Sequence, residues 1–294
     1  MSQEPAYDLK KLKSTGLMKQ KAGDLFSVRL KVVGGHVTAD QLRILAEAAD
    51  HHGVGDIHLT TRQGIEIPGV AYGEIAALRN ILAGAGLQFG ACGPRVRTIT
   101  ACQGSLCTYG LIDSQALARR VDEHVCGVEG LPHKFKIAIT GCPNGCIKPQ
   151  ENDFGIMGQS FIARDAEACV DCGLCADACR REAFVMDDGT LVEDLSLCRN
   201  CGICVAVCPV DALSNQETGY AAFVGGKMGN EPRLADRLPF RITEQEQLLD
   251  VIGATLRWYA ANGTTKERFG GTIDRVGLTE LIDHIEAEVQ GILS

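Results

Sequence analysis

The sequence predicts an α+β protein carrying a separate cysteine-rich insert, and three observations support that prediction. Residues 23–90 run strand, helix, strand, strand, helix; residues 91–165 turn to Gly and Cys punctuation; residues 166–214 hold eight cysteines with almost no apolar periodicity. A chain of 294 residues is long enough to divide among more than one core.

The elements follow in order. DLFSVRLKVV (24–33) alternates apolar and polar residues as a half-buried strand does, and Gly34-Gly35 ends it. TADQLRILAEAADHHG (38–53) has a Thr cap, helical apolar spacing and a closing Gly. DIHLTTRQGIEIPGV (56–70) predicts two short strands around Arg62-Gln63-Gly64, and AYGEIAALRNILAGAG (71–86) a second helix. This β-α-β-β-α order predicts a ferredoxin-like unit, a four-stranded antiparallel sheet backed by two helices. Further on, 115–127 is predicted helical and 131–140 a strand, and after the insert YAAFVGGKMGNEP resumes a strand and a Gly-rich turn. Helices are predicted over 243–262 and 278–293.

Composition narrows the function classes. The hydrophobic content of 45% and charge of 22% describe an ordinary globular chain, and no apolar run reaches the roughly eighteen residues a membrane helix needs. A net charge of −8 argues against nucleic acid as a partner, so any anion site is a local concentration of Lys and Arg. The segment 1–22 lacks the apolar stretch of a secretory signal and reads as a polar tail. Fourteen cysteines without a signal point to a reducing cytoplasm, where clustered thiols bind metal rather than pair. No GxGxxG nucleotide motif occurs, so electrons for any redox step come from another protein. His51-His52, near a helix end, reads as solvated, and Cys126 as a buried apolar residue.

The cysteine spacing is the sharpest signal. Cys169, Cys172, Cys175 and Cys179 are spaced C-x2-C-x2-C-x3-C, and Cys198, Cys201, Cys204 and Cys208 repeat that spacing with Pro209 following. This doubled run is the signature of bacterial two-cluster ferredoxins, in which the fourth thiolate of each run crosses to the other cubane. One [4Fe–4S] cluster then takes Cys169, Cys172, Cys175 and Cys208; the other takes Cys179, Cys198, Cys201 and Cys204. Paired zinc ribbons are the alternative, but they require longer spans between C-x2-C pairs. Arg180 stands where the first run often has Pro. Cys102/Cys107 and Cys142/Cys146 form two further close pairs, enough for a third four-thiolate site or for plain buried thiols.

LPHKFKIAITGCPNGC (131–146) sets Lys134 and Lys136 on one face of a strand, with Phe135 and Ile137 on the other, leading into a thiol pair. Like charges this close repel unless an anion lies between them, although a solvated edge strand with protective lysines has the same pattern.

TTRQG (60–64), Arg97 to Cys102, LPHKFKIAITGCPNGC, KPQENDFGIMG (148–158) and FVGGKMGN (223–230) together resemble the sirohaem-containing sulfite and nitrite reductases. The resemblance is to the small anaerobic type, the catalytic-subunit form with an inserted two-cluster ferredoxin module. It implies a ferredoxin-like half-domain over 23–90, a sirohaem and coupled-cluster domain over 91–165 and 215–294, and the insert over 166–214. It implies sirohaem and three [4Fe–4S] clusters, with Cys102, Cys107, Cys142 and Cys146 holding the coupled cluster and Cys146 bridging to the sirohaem iron. It further implies that Arg62, Arg97, Lys134 and Lys136 surround the substrate anion. Thr61, Arg62, Arg97, Asn144, Gly225, Gly226, Lys227, Gly229, Asn230 and Arg233 would contact the cofactor. CQGSLC leaves four residues between its cysteines where the family has five, with Cys92 a distant substitute for Cys102.

The implied activity is six-electron reduction of sulfite to sulfide, with electrons arriving through the insert from a ferredoxin or a flavin/iron–sulfur protein. Nitrite reduction to ammonia uses the same machinery, and a polyferredoxin electron carrier is the alternative of another class. Since larger relatives contain two such halves and this chain contains one, a two-fold homodimer is expected.

Overall fold

The computed structural model describes residues 7–90, 92–125 and 128–292. Cys126 lies outside the described residues. Three separate apolar cores organise the chain.

The first core belongs to α1 (Leu9–Ser14), β1 (Leu17–Lys19), β2 (Leu25–Lys31), α2 (Ala39–His52), β3 (His58–Leu59), β4 (Ile65–Ala71), α3 (Ile75–Gly84) and β5 (Gln88–Phe89). The strands run β1-β2-β4-β3, all neighbours antiparallel, and β5 pairs the end of β2 beyond β1. Period-two alternation in β2 buries Phe26, Val28 and Leu30 completely, while Thr38 and Gln41 form a reciprocal capping box at the start of α2. The sheet therefore has five strands rather than the expected four. The polar-tail reading of 1–22 does not hold for 17–19, where β1 supplies an edge strand and Leu17 is buried in the core; residues 1–6 lie outside the described residues. LKKLKS and LMK are short and charged, so neither shows a clear period in sequence.

The second core surrounds β6 (Thr100–Ala101), α4 (Ser114–Val125), β7 (Ile137–Thr140) and β8 (Phe154–Arg164), with later elements completing it. After β8 the chain leaves for the cysteine-rich unit: α5 (Leu174–Ala178), β9 (Phe184–Asp187), β10 (Thr190–Glu193) and α6 (Ile203–Val207). It returns as β11 (Leu213–Val224), β12 (Asp236–Arg237), α7 (Gln245–Asn262), α8 (Phe269–Val276) and α9 (Leu278–Glu288). The second sheet is ordered β12-β11-β8-β7-β6, with β6, β7 and β8 parallel and β11 antiparallel to β8. All four residues of β7 are buried, as in a central strand covered on both faces.

Strands β8 and β11 form a long hairpin from Phe154/Val224 to Arg164/Leu213, and the cysteine-rich unit sits at its tip. The Asp165 N–H donates to the Ala212 carbonyl at 2.8 Å and closes the base of that unit. The unit has its own small core around Phe184, Leu191 and Leu213. The sequence gives no clear signal for helix α8, because Gly270-Gly271 weakens helical propensity there. Gly270 is needed all the same, since a Cβ would lie 2.1 Å from the Gly225 carbonyl oxygen.

Candidate active site and thiol clusters

The four predicted cations converge. The turn between β3 and β4 is self-locked: Thr60 N–H donates to Gly64 O at 2.8 Å and Gly64 N–H to Thr60 Oγ1 at 2.9 Å. This fixes Arg62, whose guanidinium donates to Asn152 Oδ1 at 2.5 Å and to the carbonyls of Thr98 and Ile137 at 3.2 and 3.4 Å. Arg97 and the lysines come from adjacent parallel segments: Arg97 N–H donates to Phe135 O at 2.8 Å and Phe135 N–H to Arg95 O at 3.0 Å. Phe135 and Ile137 are fully buried, which turns Lys134 and Lys136 to the opposite side. With Arg29 and Thr61, these four cations line a cavity of about 240 Å³. A second hollow of about 500 Å³ shares Thr61, Arg62 and Lys136 with the first, and its wall also includes Cys146, Met228 and Lys148, which pairs with Glu151 at 3.6 Å. The two hollows thus adjoin at Thr61, Arg62 and Lys136, and this basic trough has the Cys146 thiol in the wall of its larger part.

Crowding sets the protonation of this trough. Burial holds the Lys136 ammonium down at about 8, aided by the positive charges of Arg62, Arg268 and Lys134. Lys134 is lowered by burial and then by Arg268 and Arg97, and His133 by burial and then Lys134. Burial lowers Arg62 to about 10, against the pull of Asp153, so it stays cationic at neutral pH.

Asp153 and Arg268 are functional neighbours that sequence reasoning missed. Asp153 is completely buried. Its Oδ1 and Oδ2 accept from Arg268 Nη2 at 2.9 and 2.8 Å, and Oδ2 also accepts the Lys136 N–H at 2.9 Å. Burial pushes this carboxyl up, but both oxygens act as acceptors and Arg268 keeps the pair ionic. Asn152-Asp153 lies inside the quoted KPQENDFGIMG stretch, which was the available signal; Arg268 has no local signal.

Cys102, Cys107, Cys142 and Cys146 also come together. The Cys142 thiol is raised by burial, against a backbone N–H bond from Asn144, and further by the nearby charges of Cys102, Cys146 and Cys107. Cys102 Sγ accepts N–H bonds from Gly141 at 3.0 Å and Gly104 at 3.4 Å. A 3₁₀ turn over Gly104–Leu106 spans the short CQGSLC spacing. Cys92 is not a substitute for Cys102: it is buried in the first unit, where Arg29 Nη1 donates to its sulfur at 3.1 Å.

In the insert, Cys169, Cys172, Cys175 and Cys208 line one cavity, and Cys179, Cys198, Cys201 and Cys204 line another. Each cavity thus draws three thiols from one run and one from the other. Burial pushes Cys204 up to about 12, with Cys201, Cys198 and Cys179 adding to it. Burial acts the same way on Cys208, but backbone N–H bonds from Leu213, Val210 and Ala212 hold it below its ordinary value. Among the described residues no three His, Cys, Asp or Glu side chains converge as a single ion requires. Four soft thiols around an open space suit a cluster.

Two of the expected cofactor contacts also have other partners in this structure. Asn144, with Pro143, forms part of the wall of the Cys179/Cys198/Cys201/Cys204 cavity, and its backbone N–H also bonds the Cys142 thiol. Arg233 is occupied by Asp236 and Asp274 at 2.6 and 2.9 Å and by the Gly225 carbonyl at 3.2 Å, so it clamps its own loop. Gly225 and Gly226 are buried: Gly225 N–H donates to Asp153 O at 2.8 Å, and a Cβ on Gly226 would lie 2.2 Å from Gln150 O. Gly226→Ala should therefore lower the unfolding free energy by about 1–3 kcal/mol, seen as a lower urea midpoint at unchanged m. Lys227 is near Glu231 at 3.8 Å, while Gly229 and Asn230 are exposed beyond it.

No described helix is long and apolar enough to cross a membrane. The description "Nitrite and sulphite reductase 4Fe-4S domain" matches residues 92–293, and "Nitrite/Sulfite reductase ferredoxin-like half domain" matches 18–85. Coenzyme F420-dependent sulfite reductase of Methanocaldococcus jannaschii is 34% identical over 92% of this chain and 44% of its own length. A component of the anaerobic sulfite reductase of Salmonella typhimurium is 34% identical over 57% of this chain and 52% of its own. The chain thus spans about half the length of these two relatives. Dissimilatory sulfite reductase I shares the fold with a TM-score of 0.72 at 23% identity, over 89% of this chain and 69% of that one. From the matched stretches, 92–293 above all, the chain belongs to the nitrite and sulphite reductase family.

Proposed function

We propose that this chain is a sulfite-reducing catalytic unit, using sirohaem beside a four-thiolate [4Fe–4S] cluster and drawing electrons through its insert. The observation that carries the reading is the pair of adjoining basic hollows: Arg62, Arg97, Lys134 and Lys136 line one, and Arg62, Lys136 and Cys146 line the other. The names of the two relatives, both sulfite reductases, favour sulfite over nitrite. The donor set fits the groups: Arg62, Lys136 and Lys148 suit a polycarboxylate macrocycle, and Cys102, Cys107, Cys142 and Cys146 suit a cubane.

When bound, sirohaem and the cluster supply the electrons and the open iron for the oxyanion. The chain does the rest. Arg62 and Arg97, permanently charged, bind and orient the sulfite oxygens, and the lysines offset negative charge that gathers on departing oxygen. Lys136 holds a proton at Nζ that it can release near neutral pH. Asp153 and Asn152 hold the Lys136 backbone and Arg62 in place. The insert is read as a two-cluster ferredoxin module over 166–214, between the two parts of the catalytic domain at 91–165 and 215–294. Pro143 and Asn144 support electron passage, because the loop that holds Cys142 and Cys146 also walls an insert cavity. Lys227 and the exposed Gly229-Asn230 turn stay as contacts for the macrocycle rim. A homodimer completes the proposal; light scattering that finds a fully active monomer would refute it.

Turnover of the holoprotein with reduced methyl viologen tests the reading: sulfite should give sulfide, and faster ammonia formation from nitrite would reverse the assignment. Lys136 gives a pH signature as well. Its cationic form predominates below about 8 and is lost as pH rises. kcat/KM for sulfite should therefore fall through about pH 8, and Lys136→Arg should move that limb at least one unit higher.

A further inference from the structure

The two insert cavities face different surroundings. The Cys179/Cys198/Cys201/Cys204 cavity shares its wall with Pro143 and Asn144 of the catalytic unit. The Asn200 carbonyl accepts from Ser160 N–H at 2.8 Å, docking that run against β8. By contrast, the Cys169/Cys172/Cys175/Cys208 cavity is walled by the insert itself and the adjoining ends of β8 and β11. Three of its lining side chains are open to solvent: Val170 is 61% exposed, Leu174 45% and Val210 41%. Apolar side chains standing over a redox site give a dry contact where a partner can approach closely. In the two segments that supply these side chains, 165–179 and 204–212, the exposed charged residues are Asp165, Glu167, Asp177 and Asp211, all acidic. Neither 165–179 nor 204–212 contains a Lys or Arg. Arg164, beneath, is tied to Asp171 at 3.8 Å and to the Leu191 carbonyl at 3.2 Å. The face is thus an apolar centre with a negative rim, at the end of the insert away from the catalytic loop.

We propose that this face is the docking site of a one-electron carrier protein whose own contact face is apolar with a Lys/Arg rim. The inference rests on the reading of the insert as a two-cluster module. The step is outer-sphere: one electron leaves the reduced insert or enters it, the carrier changes by one electron in the opposite sense, and no bond or proton is involved. Electrostatic complementarity of this kind acts on the association rate and weakens with salt.

The probe is horse-heart ferricytochrome c, a basic one-electron protein, mixed with dithionite-reduced holoprotein freed of excess reductant. Second-order reduction of the cytochrome should slow about tenfold between low and moderate salt, and about tenfold in Glu167→Lys/Asp211→Asn at low salt. Asp283→Asn/Glu286→Lys on α9 makes the same charge change on another surface and should leave the rate unaltered. Carbodiimide coupling to the cytochrome, mapped by mass spectrometry, should consume carboxylates within 165–177 and Asp211. Equal rates in the two double variants, or coupling mainly elsewhere, would overturn the docking site. Failure of viologen-driven sulfite reduction with rim-dependent cytochrome reduction intact would refute the catalytic reading alone.

Discussion

Lys136→Met is expected to reduce kcat/KM for sulfite by about 10²–10³-fold, with the protein folded and its clusters retained. Its Nζ combines two roles in one atom, a positive charge on the trough shared by both hollows and a proton whose release is eased to about pH 8. The backbone of residue 136, which donates to Asp153 and accepts from Phe154 at 3.0 Å, is untouched by the substitution. Lys134 lines only the smaller cavity, and Lys134→Met should cost about tenfold. Steady-state kinetics with viologen as donor checks both. Equal losses in the two variants would mean that the site needs bulk positive charge rather than a proton held at residue 136.

Asp153→Ala should destabilise the protein by about 3–5 kcal/mol, the cost of leaving a buried guanidinium without its carboxylate. The carboxylate has no exposed surface, and Arg268 is only 15% exposed. Removing Asp153 strands a positive charge beside Arg62, Lys134 and Lys136 and releases the Lys136 N–H. The double variant Asp153→Ala/Arg268→Met should recover a large part of that loss, because both charges leave together. Urea unfolding followed by circular dichroism is the check. A loss below about 1 kcal/mol in Asp153→Ala would mean that the carboxylate contributes little to the net stability of the site.

Much of this site was legible because its signals are local. The C-x2-C-x2-C-x3-C runs, the alternating Lys134 and Lys136, and the Thr38 cap each reveal themselves within a few residues. What escaped depends on chain segments far apart. Arg268 meets Asp153 only after α8 packs against the turn at Gly225, and the Gly270-Gly271 pair hides that helix. The resemblance implies Arg233 as a cofactor contact; that it also clamps its own loop through Asp236 and Asp274 has no local signal. The resemblance implies Asn144 at the cofactor; that it also reaches the insert cavity shows only once the loop around Gly145, at φ +63°, is folded. The tail failed for a different reason: a three-residue edge strand is too short to show a period.

The measurement that tests the central claim most directly is an absorption spectrum of anaerobically purified protein, with solvent extraction and iron analysis. An iron tetrahydroporphyrin held beside three cubanes predicts a green-brown protein, an extractable sirohaem chromophore and about thirteen irons per chain. A plain brown iron–sulfur spectrum, no extractable macrocycle and about eight irons would instead identify an electron carrier and contradict the catalytic assignment.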